Sequence, residues 1–147
     1  MNNNYQSQRE YTPVEHPKLQ KNFYNESDDI KNRSQADVDA FMKENFITTQ
    51  GSQVPRPVQT FKESSMPKYL VDQLETHFDK PSVIQSQSWP VALQGRDLIG
   101  IAQTGSGKTL SFIMPAIVHV MAQDMLKKGD GPIVLVLAPT RELAVQI

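Results

Sequence analysis

The stretch Ala102-Gln103-Thr104-Gly105-Ser106-Gly107-Lys108-Thr109 constrains this 147-residue chain more than any other. It lies between a short apolar run, Leu98 to Ala102, and a segment with apolar residues at helical spacing, and its two glycines allow the sharp turn between them. Such a turn aims successive backbone N–H groups at one point, and the N-terminus of the following helix adds partial positive charge. The pattern therefore predicts a cradle for phosphate oxygens. Lys108 would reach the β and γ phosphates, and the Thr109 hydroxyl would ligate Mg²⁺. The usual G-x-x-x-x-G-K-[ST] pattern begins with glycine and this one with Ala102, so strand-turn-helix context carries the reading. A glycine-rich surface turn with an incidental lysine is the competing reading, and it leaves that context unexplained.

The flanking elements extend the argument to a fold. Ile133 to Ala138 is a near-continuous apolar run with β-branched residues, and with Leu98 to Ala102 it reads as a pair of buried parallel strands. Between them, Thr109 to Lys128 carries Leu110, Ile113, Met114, Ile117, Val118, Met121 and Met125 at helical spacing. This predicts one helix bent at Pro115 and stopped at Gly129. Strand, loop, helix and strand make one βαβ unit, so the fold class is α/β. Upstream, Tyr69, Leu70, Leu74 and Phe78 predict a helix from Pro67 to Thr76, and Ser82 caps another that Pro90 should end or kink near Trp89.

Apolar residues number 17 in positions 1–60 and 39 in positions 61–147, so the core is built late. Residues 1–33 mix Asn, Gln, Ser and charges with isolated aromatics and read as a mostly disordered tail. Within it, Asn22, Phe23 and Tyr24 are either a docking anchor or a chance pair of rings. Residues 34–60 read as a short helix, Gln35 to Glu44, with an extended run at Phe46 to Thr49, a turn at Gln50 and Gly51, and a proline-bearing linker. Residues 61–147 form the domain. Fifteen basic against sixteen acidic residues leave a net charge of −1. That balance restricts any polyanion contact to a local surface. There is no cysteine, which excludes disulfides and thiolate chemistry. No signal peptide or membrane span is read from the sequence, and the chain is expected to be soluble.

Phe78-Asp79-Lys80-Pro81-Ser82-Val83-Ile84-Gln85 lies upstream of the cradle, and a glutamine amide can accept from adenine N6 while donating to N7. A solvated helix residue is the plainer reading of Gln85. With these residues in view, Ala102 to Thr109 resembles motif I of the DEAD-box RNA helicases, which begins with alanine. Phe78 to Gln85 resembles their Q motif, with Phe61 placed like the family's upstream aromatic. Pro139-Thr140-Arg141-Glu142-Leu143-Ala144 resembles motif Ia. The stretch from Asn22 to Pro57, with Trp89-Pro90 and Gly129 to Pro132, resembles the nuclear, RNA-processing branch.

The resemblance implies the first RecA-like lobe of a P-loop NTPase, incomplete, behind a largely disordered extension. It implies ATP and Mg²⁺ as cofactors, with Phe61, Phe78, Gln85, Thr104, Gly105, Ser106, Gly107, Lys108 and Thr109 around the nucleotide. Lys108 and Thr109 would serve catalysis, and Thr109 would hold the metal through the nucleotide. Pro139, Thr140 and Arg141 would grip RNA by its backbone; on composition alone, Arg141 would pair with Glu142 or solvent. Protein partners would dock through residues 1–60, without a membrane, in the nucleus with the cytoplasm as a second location. His77 stands where the family favours glycine, at an expected left-handed helix end, and Ser82 replaces threonine.

The sequence contains neither D-E-A-D nor S-A-T. In the family the D-E-A-D acids hold Mg²⁺ and the second lobe supplies arginine fingers, so the chain alone is expected to be inactive and to be a partial gene model or a fragment. A short non-catalytic nucleotide- or partner-binding module is the alternative. A P-loop kinase or GTPase would make the Q motif and motif Ia coincidences.

Overall fold

The computed structural model describes residues 19–147, so the first eighteen residues of the expected tail lie outside the described residues. Helix α1 spans Asp28–Asn32 and α2 spans Gln35–Glu44, followed by a 3-10 turn at Phe61–Ser64. Helices α3 (Lys68–His77), α4 (Val83–Leu93), α5 (Lys108–Met121) and α6 (Arg141–Gln146) complete the order. The core joins Ile30, Val58, Phe61, Leu70, Leu74, Trp89, Leu93, Met114 and Val118, with Phe23 and Tyr24 packed against it. No helix among the described residues is long and apolar enough to cross a membrane.

The N-terminal segment departs from the expected disorder over its described part. Phe23 N donates to Leu93 O at 2.7 Å, and its ring meets His119 edge-on at 4.8 Å, so the expected anchor docks on its own chain. Ile30 is completely buried. Polar residues around it would not have predicted this, because the burial is supplied by helices far along the chain. Arg56 ties the segment down by donating to Ile30 O at 2.9 Å and Arg33 O at 2.7 Å. Arg33 pairs with Glu63 at 2.7 Å, and both side chains are largely buried. Pro57 and Val58, expected in a linker, are core residues.

Helix α2 has the expected boundaries, capped by Ser34 Oγ accepting from Asp37 N at 3.1 Å, which satisfies one of the free amides of its first turn. Its end differs from expectation: Phe46 adopts φ 53 rather than an extended conformation. Ile47 N donates to Met42 O at 2.8 Å and Phe46 N to Lys43 O at 3.3 Å. These bonds satisfy the last carbonyls of α2. Helix α3 ends at His77 with Phe78 extended at φ −142. His77 is therefore not left-handed, and no glycine is required there.

Pro90 neither ends nor visibly interrupts α4, which runs on to Leu93. A proline has no N–H for the carbonyl four residues back, here Ser86 O. That acceptor instead receives Val58 N at 2.9 Å. Helix α5 is shorter than the sequence pattern predicts and stops at Met121. Gln123 Nε2 donates back to His119 O at 3.0 Å and also to Gln20 O at 3.2 Å, and Met125 and Leu126 beyond it are exposed.

The largest correction concerns the sheet. Leu98 to Ala102 and Ile133 to Ala138 form no strand, and none is present among the described residues. Strands exist through their partners, and a parallel pair needs neighbours and cover on both faces to hold its register. Here Ile99 is 91% and Ile101 is 93% exposed. The two runs instead border an open groove of about 790 Å³ together with residues of α4, α5 and α6. The α/β class is thus not expressed by these residues as they stand.

Candidate functional site

The loop before α5 is built by its glycines. Gly105 lies at φ 77, and Gly107, the residue capping α5, at φ 88. Both values favour glycine. A Cβ on Gly107 would stand 2.5 Å from Gln85 Nε2 and 2.9 Å from Ser82 Oγ, so the loop and the start of α4 approach closely there. Ser106 N donates to Gln103 O at 3.3 Å and closes the turn. Of the expected strand, turn and helix, the turn and the helix are present, a tight loop leading into a helix of fourteen residues whose first member is Lys108, and the strand is not. Such a helix start favours anions.

Lys108 Nζ donates to Ala102 O at 2.7 Å and to Gln103 O at 2.6 Å. The ammonium is folded over its own loop, held by carbonyls that a phosphate oxygen could replace with a stronger, charge-assisted bond. Thr109 and Thr104 are exposed at the loop, and the Ser106 hydroxyl is buried without a hydrogen-bond partner. The open space over Gly105, the free Ser106 hydroxyl and a displaceable ammonium all suit a polyphosphate. Among the described residues no three His, Cys, Asp or Glu side chains gather to hold a metal ion.

Gln85 is brought to the loop from α4. Its Oε1 accepts from Ser82 N at 3.0 Å and its Nε2 donates to Gly107 O at 3.1 Å; the residue is 5% exposed. The amide therefore clasps the phosphate loop to the start of α4, a role that sequence reasoning missed. Phe78, half exposed beside His77, offers its ring to solvent. Phe61 does not: it is 2% exposed, with Trp89 at a centroid distance of 6.0 Å. Its ring is a core element here. Trp89 Nε1 in turn donates to Leu110 O at 3.1 Å, fixing α4 against the first turn of α5.

Pro139, Thr140 and Arg141 stand together, exposed, at the start of α6. Thr140 Oγ1 accepts from Leu143 N at 3.3 Å, so its hydroxyl caps the helix.

Residues 82–147 match the DEAD/DEAH box helicase family model. That segment belongs to the DEAD-box helicases. The chain is 59% identical over 132 residues to the ATP-dependent RNA helicase DBP2 of Pyricularia oryzae, covering 89% of this chain and 24% of the relative. The match to dbp2 of Aspergillus oryzae has the same identity and coverage. Among solved structures, the chain resembles the RNA helicase Prp28 from Chaetomium thermophilum bound to ADP, with a TM-score of 0.72 and 41% identity. That match covers 78% of this chain and 28% of the other. The yeast DEAD-box splicing factor Prp28 gives a TM-score of 0.70 at 31% identity, over 87% and 30% of the two chains. The chain thus spans about a quarter of the length of the curated relatives it matches.

Proposed function

We propose that this chain is the nucleotide-holding opening of an ATP-dependent RNA helicase, the complete protein coupling ATP hydrolysis to RNA unwinding or remodelling. The observation that carries this reading is the left-handed Gly107 at the head of α5, with Lys108 next to it and the Gln85 amide bonded to its carbonyl. In this reading the loop amides and Lys108 hold the phosphates, and Thr109 holds Mg²⁺ through them. Bound Mg²⁺ would neutralise the charge of the phosphates. Phe78 offers its ring to the base, and Gln85 reads adenine by exchanging its bonds to Ser82 N and Gly107 O for bonds to the base edge. The names of the relatives and the ADP of the similar Prp28 support an adenine nucleotide.

Pro139 and Arg141 lie exposed, where backbone contacts to RNA would be sequence-independent. Such a local contact agrees with the low net charge of the chain. A nuclear location follows from the resemblance of the N-terminal stretch to the RNA-processing branch.

Titrating ATP and GTP against the chain and its Gln85→Ala variant tests the base reading. The wild-type chain should favour ATP, and the variant should lose that preference more than it loses affinity for inorganic tripolyphosphate. Equal affinities for ATP and GTP in the wild type would end it.

A further inference from the structure

A cavity of about 330 Å³ opens beside the phosphate loop. That volume is at the lower end of the range for small-ligand sites. Its walls come from four places, one of them Gln59 just before the 3-10 turn. Lys80, Pro81, Ser82 and Val83 lead into α4, Gly105 and Ser106 form the tip of the loop, and Phe41 and Asn45 come from α2 and its cap. Phe41 and Asn45 are both half-buried. Four residues apart, they share one helix face. Lys108 and Thr109 do not border this cavity, and of the phosphate loop only its tip, Gly105 and Ser106, reaches it. What remains for it is the nucleoside end of a ligand.

The polar atoms around it point the same way. Ser106 Oγ is buried without a partner, while Ser82 Oγ takes part in the cap of α4 with Gln85. Asn45 Nδ2 is used within its own helix, donating to Phe41 O at 2.8 Å. Its Oδ1 is left as an acceptor. The position of α2 is also not accidental. Glu63 accepts from Gln59 N at 2.7 Å and from Arg33 at 2.7 Å. Arg33 directly precedes Ser34, the cap of α2, so one buried carboxylate fixes both the Gln59 side of the cavity and the start of the helix that walls it.

We infer that α2, in the N-terminal extension, is part of the nucleotide site: Phe41 and Asn45 wall the nucleoside of a bound adenine nucleotide and set its affinity. This rests on the reading of the loop as a phosphate cradle. Phe41 supplies an apolar wall, and Asn45 Oδ1 accepts from a nucleoside N–H or O–H, while the phosphates are held without help from α2.

The test is a titration of the full chain with ADP and, separately, with inorganic tripolyphosphate. Phe41→Ala and Asn45→Ala should each weaken ADP about tenfold and leave tripolyphosphate unchanged, a size expected for losing one well-placed contact. Phe41→Trp, which keeps an apolar side chain on α2 but fills the cavity, should weaken ADP in the same selective way. Hydrogen exchange in α2 reports whether each variant keeps the helix. Unchanged ADP affinity in Phe41→Trp and in a folded Asn45→Ala would overturn the inference, as would equal losses for both ligands. The underlying loop reading fails by a different signature, in which Lys108→Ala leaves tripolyphosphate binding intact.

Discussion

Val58 N donates to Ser86 O at 2.9 Å, filling the acceptor that Pro90 leaves without its helical donor. A residue of the N-terminal extension thereby completes a helix of the domain that carries the candidate phosphate loop, with Val58 itself fully buried.

The Val58 amide should therefore exchange with solvent as slowly as the interior amides of α4, although it belongs to no helix. Residue-resolved hydrogen exchange measures this directly. Exchange at the rate of the exposed amides near Gly51 would mean that the extension is not docked in solution.

This contact also marks what the sequence could and could not reveal. Segments fixed by near neighbours were legible: α2 from Ser34 and the stripe through Val38, α3 from its leucines, and the turn into α5 from Gly105 and Gly107. Features that depend on distant groups were not. Pro90 reads as a breaker unless Val58 is known to reach Ser86 O. The polar tail hides Ile30 because its burial comes from the folded domain, and Phe61 looks like a ligand-facing ring until Trp89 is placed against it. The runs at Leu98 and Ile133 have strand chemistry, but pairing is a property of two backbones. In the candidate site, Gln85 was identified by type, whereas its bond to Gly107 O could not be seen from positions so far apart in the chain.

The bare runs have a consequence for solution behaviour. Ile99, Ile101, Leu135 and Leu137 are all exposed, and unpaired extended backbone with apolar side chains invites intermolecular pairing. The chain should self-associate with rising concentration in analytical ultracentrifugation, and Ile99→Lys with Ile101→Lys should reduce that association. A wild-type chain that stays monomeric at high concentration would contradict this.

Tyr24 should titrate late. Burial, with Glu26 and Glu63 adding to it, pushes its phenol from the ordinary 10.0 up to about 12, because both causes disfavour the phenolate. The folded state thus favours the neutral form, so this contribution to stability is complete below the ordinary phenol value and is lost as pH rises through the folded one. Ultraviolet titration of the four tyrosines should show one group with a delayed midpoint that Tyr24→Phe removes. Four tyrosines titrating together in the folded chain would refute the docked position of Tyr24.

The most direct test of the nucleotide reading is the affinity of the chain for ATP with and without Lys108. Calorimetric or fluorescence titration should detect ATP binding to the wild-type chain, and Lys108→Ala should weaken it by about tenfold or more, the loss expected when a charged hydrogen-bond donor to phosphate is removed. Folding should be retained, because Lys108 Nζ bonds only to carbonyls of its own loop. An ATP affinity unchanged by Lys108→Ala would contradict the assignment of this loop as a phosphate cradle.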